Sequence, residues 1–327
     1  MHRLRVLLDR PGLLRGTALA SLVANVGIVV TGGVVRLTGS GMGCPTWPRC
    51  DRDSLVPTRE LGYHGLIEFG NRTLISVVGG LAVACAVLAL LDLHRRRDRL
   101  AWSGLVLAGV VSQAVLGGIT VHTVLNPWVV SGHFLLSMVL IAAAYRFWRA
   151  ARTVSGPAVP RPVRALSWLV VAVTAVVLAA GTVVTGSGPN AGDANARRTG
   201  FDPGAVAQFH ADLVMLLIGL SVALLLVAPP GLRRAAAVLV GVELAQGVVG
   251  FVQYLTHLPP LAVGLHMAGA CAVWLAALGV VGPARQAQEG MRAQEGMRAQ
   301  QGMRAQADPG ATRAAIASAS RSAEPGA

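Results

Sequence analysis

Three of the chain's eight histidines stand at matching places in apolar sequence. His133 is six residues past Pro127, His266 is six past Pro260, and His210 lies about five residues into another apolar stretch. An imidazole within a bilayer is costly unless it finds a partner, so its presence marks a candidate site. Two imidazoles at equal depth on facing helices, as His210 and His266 would be, suit the clamping of a haem iron from both sides. Spacing alone leaves a proton relay or plain hydrogen bonding as alternatives. His133 needs a partner at its own depth, and the stretch YHGLIEFGNRTLI, residues 63–75, places Asn71 there instead of a histidine. Glu68 and Arg72 flank Asn71 as an i,i+4 acid–base pair. His64, seven residues before Asn71, shares its face but stands about 10 Å away along a straight helix.

The elements that must carry these groups cross a membrane. Of 327 residues, 54% are hydrophobic and 13% charged, and the mean hydropathy is +0.59. That balance excludes a disordered chain and argues against an ordinary soluble enzyme. Apolar runs near the roughly 20 residues that span a bilayer recur near 17–37, 66–92, 101–121, 128–147, 165–184, 206–228, 233–252 and 261–281. The first is too long for a cleavable signal, and VVRLTGSG runs straight on from it. The expected fold class is therefore an all-α integral membrane protein with eight transmembrane helices.

The net charge of +13 comes entirely from arginine, since the sequence has no lysine. Four arginines precede the first apolar run, HRRRDR brings four more, and the tail holds six. The stretch 146–164 carries Arg146, Arg149, Arg152, Arg161 and Arg164, while Arg233 and Arg234 sit in the sixth connection. The opposite side holds Arg49, Arg52, Arg59, Arg197 and Arg198. The positive-inside rule then predicts a multi-pass protein of the cell (plasma) membrane with both termini cytoplasmic. This topology accounts for the basic balance, so a nucleic-acid partner is not expected.

The sequence also repeats itself. QAVLGGITVHTVLNPWVVSGH, residues 113–133, aligns without a gap on QGVVGFVQYLTHLPPLAVGLH, residues 246–266. Gln113 meets Gln246, Gly117 meets Gly250, Pro127 meets Pro260 and His133 meets His266. LTGSG at 37–41 echoes VTGSG at 184–188. An even number of helices separates the copies, so two four-helix bundles related by an axis along the membrane normal are expected. The predicted domains are a cytoplasmic N-terminus (1–16), an N-terminal bundle (17–147) with an outer loop at 38–65, and a cytoplasmic linker (148–164). A C-terminal bundle (165–282) and a disordered cytoplasmic tail (283–327) follow. The tail carries the repeat EGMRAQEGMRAQQGMRAQ, which has no wide apolar face,. Cys44 and Cys50 fall in the outer loop, where an oxidising compartment favours a disulfide. Cys85 and Cys271 read as small core residues.

GGVVRLTGSGMGCPTWPRC, IEFGNR, QAVLGGITVH, QFHADL and GFVQYLTHLPPLAVGLHMAGA together resemble the haem A synthase family over roughly residues 15–282. The resemblance implies an oxidoreductase that converts the C8 methyl of haem O to the formyl group of haem A, by stepwise hydroxylation and loss of water from a gem-diol. It implies haem b held by His210 and His266 as an electron relay. It also implies a substrate haem O site in the first bundle, with His133 as one iron ligand and Glu68 as the acid–base group. The family's helix-two motif is Glu-x-x-His-Arg, whereas this chain has Asn71 at the ligand position. Three readings follow: His64 ligates instead, the site is open opposite His133, or the chain is a silent paralogue. Arg36 and Arg72 are candidates for haem propionates, with snorkelling to the interface as the plain alternative. The implied partners are membrane lipid, haem O and haem A, a haem O synthase and the terminal-oxidase assembly; a homo-oligomer stays open. The rival from another class is a non-enzymatic haem b electron carrier, a quinone-linked cytochrome, which would want two complete histidine pairs. A transporter would want broken helices and a midplane polar site.

Overall fold

Proline opens five of the eight long helices, which fits its fixed φ and missing N–H at a first turn,. In the computed structural model, which describes residues 11–92, 97–152, 159–281 and 297, the described regular elements are helical. They are α1 Pro11–Leu37, α2 Gly62–Leu91, α3 Arg97–His122, α4 Pro127–Arg152, α5 Arg161–Ser187, α6 Pro203–Val227, α7 Pro230–Leu255 and α8 Pro260–Val281, with a short 3-10 turn Arg59–Leu61 before α2. The chain is thus the all-α, eight-span membrane protein expected, with every long helix apolar enough to cross a bilayer. Only 17–33% of each span's most apolar window is buried. The remaining side chains face outward, where lipid rather than water suits them.

The helices outrun the apolar runs that announced them. α4 continues past residue 147 through Arg149 to Arg152, because guanidinium groups at a membrane edge lie along aromatic faces instead of ending the helix. Arg152 stands 4.6 Å from the Trp148 ring centre, and Arg146 stands 5.5 Å from that of Trp102. α2 starts four residues before its apolar run, and this places His64 inside the helix. The N-terminal ten residues, and the proposed tail apart from Met297, lie outside the described residues.

In the first half, α1 packs on α2, α2 on α3, α3 on α4 and α4 back on α1. The ring closes with α2 and α4 on opposite corners. In the second half, α5 packs on α6 and α6 on α7, while Gln246 of α7 donates to the His266 carbonyl of α8. The halves share one hydrophobic core, and Trp274 of α8 donates from Nε1 to the Met138 carbonyl of α4 at 2.8 Å.

The internal repeat is visible in the backbone. The α3–α4 turn puts Val124 and Leu125 at φ 50° and 53°, and the α7–α8 turn puts His257 and Leu258 at 61° and 60°. Branched or bulky residues seldom adopt this left-handed conformation. The same rare turn recurs at aligned positions of both copies. Gln113 of α3 also donates to the His133 carbonyl at 3.1 Å, as Gln246 does to that of His266 at 2.9 Å.

Candidate functional site

His133 and His266 are each the seventh residue of their helix and His210 is the eighth. At 1.5 Å per residue they lie roughly 9–11 Å below the helix starts, on the side of the disulfide loop. Asp202 fixes the start of α6 by accepting the Ala205 N–H at 2.7 Å, a cap that sets how deep His210 is carried. Each ring rests on a glycine of the preceding helix. A Cβ on Gly117 would lie 3.3 Å from His133 Cε1, one on Gly181 3.2 Å from His210 Cε1, and one on Gly250 3.5 Å from His266 Cε1. Asn71 completes the series, since a Cβ on Gly32 of α1 would lie 4.0 Å from its Nδ2. The even-numbered helices therefore each carry a polar side chain seated on a glycine of the helix before.

The Nδ1 atoms of His133, His210 and His266 are all buried without a hydrogen-bond partner in the protein. Buried polar atoms are normally satisfied, so three orphaned imidazole nitrogens at one depth call for a ligand or a role.

The first half is hollow. Asn71 and Arg72 of α2, His133 of α4, Gln113 of α3 and Arg36 of α1 line one cavity of about 260 Å³ that opens to the surroundings. Glu68 forms part of the same wall. His64 does not: it lines a separate outer pocket with Glu60 and Asp193, and its Nδ1 is 2.9 Å from the Ser40 hydroxyl. The structure thus brings Glu68, Asn71, Arg72, Arg36 and His133 together and sets His64 apart. His122 and His257, at the ends of α3 and α7, are exposed.

Cys44 and Cys50 form a disulfide, and the loop they close is bolted to α2. Arg72 donates from Nε to Glu68 Oε1 at 3.0 Å, from Nη1 to the Thr46 and Arg49 carbonyls at 2.8 and 3.2 Å, and from Nη2 to the Cys44 carbonyl at 2.9 Å and to Glu68 Oε1. All five guanidinium N–H groups are therefore engaged. The other carboxylate oxygen of Glu68 accepts the Cys44 N–H at 2.7 Å. Trp47, inside the loop, also lines the cavity and lies on α3, where a Cβ on Gly118 would stand 2.6 Å from its Cδ2. Arg36 reaches across to the second half, donating to the Asn190 and Thr185 carbonyls at 2.7 and 3.0 Å.

A family described as cytochrome oxidase assembly protein matches residues 15–196, more than half the chain. The chain belongs to this family. The matched residues include the whole first half, with Glu68, Asn71, Arg72 and His133, and end before His210. Among curated relatives, the "Heme A synthase" of Geobacillus kaustophilus is 30% identical over 133 residues, which is 40% of each chain. That of Geobacillus thermodenitrificans is 29% identical over 133 residues, 40% of this chain and 41% of the relative. That of Lysinibacillus sphaericus is 30% identical over 131 residues, 40% of this chain and 42% of the relative. The match thus spans about two-fifths of the length of these relatives.

Several polar or aromatic residues in or near the candidate site escaped sequence reasoning. Thr31, whose hydroxyl donates to Asn71 Oδ1 at 2.7 Å, gave no signal in an apolar run. Trp47 could have been suspected from its place between the two loop cysteines. Glu243, 3% exposed and bonded to Ser221 at 2.8 Å, was visible as a lone acid within an apolar span.

Proposed function

We propose that this chain is a haem A synthase, oxidising the C8 methyl group of haem O to the formyl group of haem A. The observation that carries the reading is the inequality of its two halves. The second half offers two imidazoles, His210 and His266, each with an orphaned buried Nδ1 and a glycine beneath its ring. The first half offers one imidazole, His133, facing an amide across an open cavity. An electron carrier would want both histidine pairs complete, whereas a substrate site needs room and an accessible iron.

The residues of the second half fit haem b, which His210 and His266 would hold and which would supply electron-transfer chemistry there. In the first half, His133 would hold the iron of haem O. Arg36 keeps Nη1 for a propionate after donating from Nε and Nη2 to the other half, while Arg72 is fully committed to the loop and to Glu68. Glu68, fixed by Arg72 and the Cys44 amide at the cavity wall, would receive a proton as the methyl carbon is oxidised. The disulfide loop and Trp47 would cover the reacting edge and limit water. The loop side is extracytoplasmic in this reading and both termini are cytoplasmic.

The test is co-expression of the full chain with a haem O–producing enzyme, followed by extraction and mass analysis of the haems. Haem A in the extract is the expected result. Haem O and haem b without any formyl product, from a protein that carries both haems, would refute the reading in favour of an electron carrier.

A further inference from the structure

We propose that Asn71 is a fixed hydrogen-bond donor to a small exogenous ligand in the substrate cavity, and that Thr31 sets its orientation. The inference rests on the proposed substrate site of the first half and says what stands there opposite His133.

An asparagine amide has an acceptor end and a donor end, and which one faces a cavity decides what it can bind. The Thr31 hydroxyl lies 2.7 Å from Asn71 Oδ1 and 3.2 Å from the Ile28 carbonyl. Its single proton goes to the nearer acceptor, so Oδ1 is taken up against α1. The amide nitrogen is then left beside Gly32, the next residue of α1. Gly32 and Asn71 both line the cavity shared with His133, whereas Thr31 does not. The acceptor end is held at Thr31, outside the cavity, and the donor end stands at Gly32, on the cavity wall.

α2 and α4 occupy opposite corners of the first ring, so Asn71 and His133 face each other across its interior. Asn71 stands on its glycine as the three histidines stand on theirs, which makes it the fourth member of a ligand-bearing set. A carboxamide is too weak a base to hold iron in competition with imidazole. It can instead donate to a neutral or anionic small molecule that binds there, of the class of water, carbon monoxide, dioxygen or cyanide. Its partner on that face must accept a hydrogen bond.

The experiment uses the purified full chain loaded with haem, with carbon monoxide on the ferrous form and cyanide on the ferric form as probes. His210 and His266 would fill both axial positions in the second half, so these probes report on the first. The wild type is expected to bind both. Asn71→Leu should raise the C–O stretching frequency and weaken cyanide binding by about two- to tenfold, the worth of one hydrogen bond. Thr31→Val, which keeps the amide but frees it to turn, should split or broaden the C–O band. Asn71→His should close the site, giving a six-coordinate spectrum that no longer takes up carbon monoxide.

An unchanged C–O frequency and cyanide affinity in both Asn71→Leu and Thr31→Val would overturn the proposal, and so would a wild type that carries haem in the first half but binds neither probe. Should the first half take up no haem at all, the substrate site itself fails and the donor role falls with it.

Discussion

Replacing Arg72 with methionine removes the side chain that fastens the disulfide loop to α2 while keeping its apolar stem. Five donor contacts vanish at once. Glu68, 8% exposed, keeps the Cys44 N–H but loses its counter-charge, the carbonyls of Cys44 and Thr46 lose the guanidinium donor, and that of Arg49 keeps the Thr46 hydroxyl. Removing one member of a buried ion pair costs about 3–5 kcal/mol, because the partner charge stays behind unpaired. Arg72 is 17% exposed, so water recovers part of that loss. The expected destabilisation of Arg72→Met is therefore about 2–4 kcal/mol. The assay is reversible unfolding in mixed micelles for the wild type, Arg72→Met, Glu68→Gln and the double variant. The double variant should lose less than the sum of the singles, with a coupling of roughly 1–3 kcal/mol, since removing the stranded charge relieves part of the first loss. A stability for Arg72→Met within about 0.5 kcal/mol of the wild type, the range of ordinary surface changes, would refute the bolt. Strict additivity in the cycle would refute it as well.

Other outcomes follow from the same geometry. His210→Ala and His266→Ala should each abolish the low-spin haem b spectrum, and a spectrum intact in both would remove the haem assignment from the second half. Gly118→Val must push the Trp47 indole off α3, since even a Cβ there would stand 2.6 Å from the ring; tryptophan emission should shift and the loop should become cleavable by added protease, and an unaltered loop would count against the packing. Ser221→Ala should cost about 1–3 kcal/mol by removing the hydrogen bond that Glu243 makes among the described residues,, whereas Glu243→Leu should be neutral or stabilising in the same unfolding assay. A clear loss in Glu243→Leu would show that this carboxyl does more than fill space.

The architecture was legible because a bilayer imposes it: a chain with eight apolar runs and arginine on one side has few ways to fold. What the sequence hid was the use of each polar group. Glu68 and Arg72 read as an i,i+4 pair, and they are one, but nothing in the pattern showed that Arg72 spends its remaining donors on loop carbonyls 20 or more residues away. Arg36 looked like an interfacial residue, yet it holds the far half through Asn190 and Thr185. Such contacts join segments distant in sequence and leave no local signature. His64 shows the opposite failure: a helical wheel put it on the face of Asn71, but it stands in the first turn of α2 and turns to Ser40 in the outer loop.

The repeat shows why the ligand can change while the site persists. Gln113 and Gln246, Gly117 and Gly250, and the two left-handed turns do the same mechanical work in each copy. They fix where the fourth and eighth helices start, how deep His133 and His266 sit, and what their rings rest against. None of that work depends on what stands across the bundle. Gly32 of α1 likewise leaves space beside Asn71 without requiring an imidazole there. If the three histidines hold iron as proposed, one position in four could exchange a ligand for a hydrogen-bond donor without disturbing the scaffold that holds the other three, and this is the freedom a duplicated bundle needs if one copy is to transfer electrons and the other is to admit a substrate.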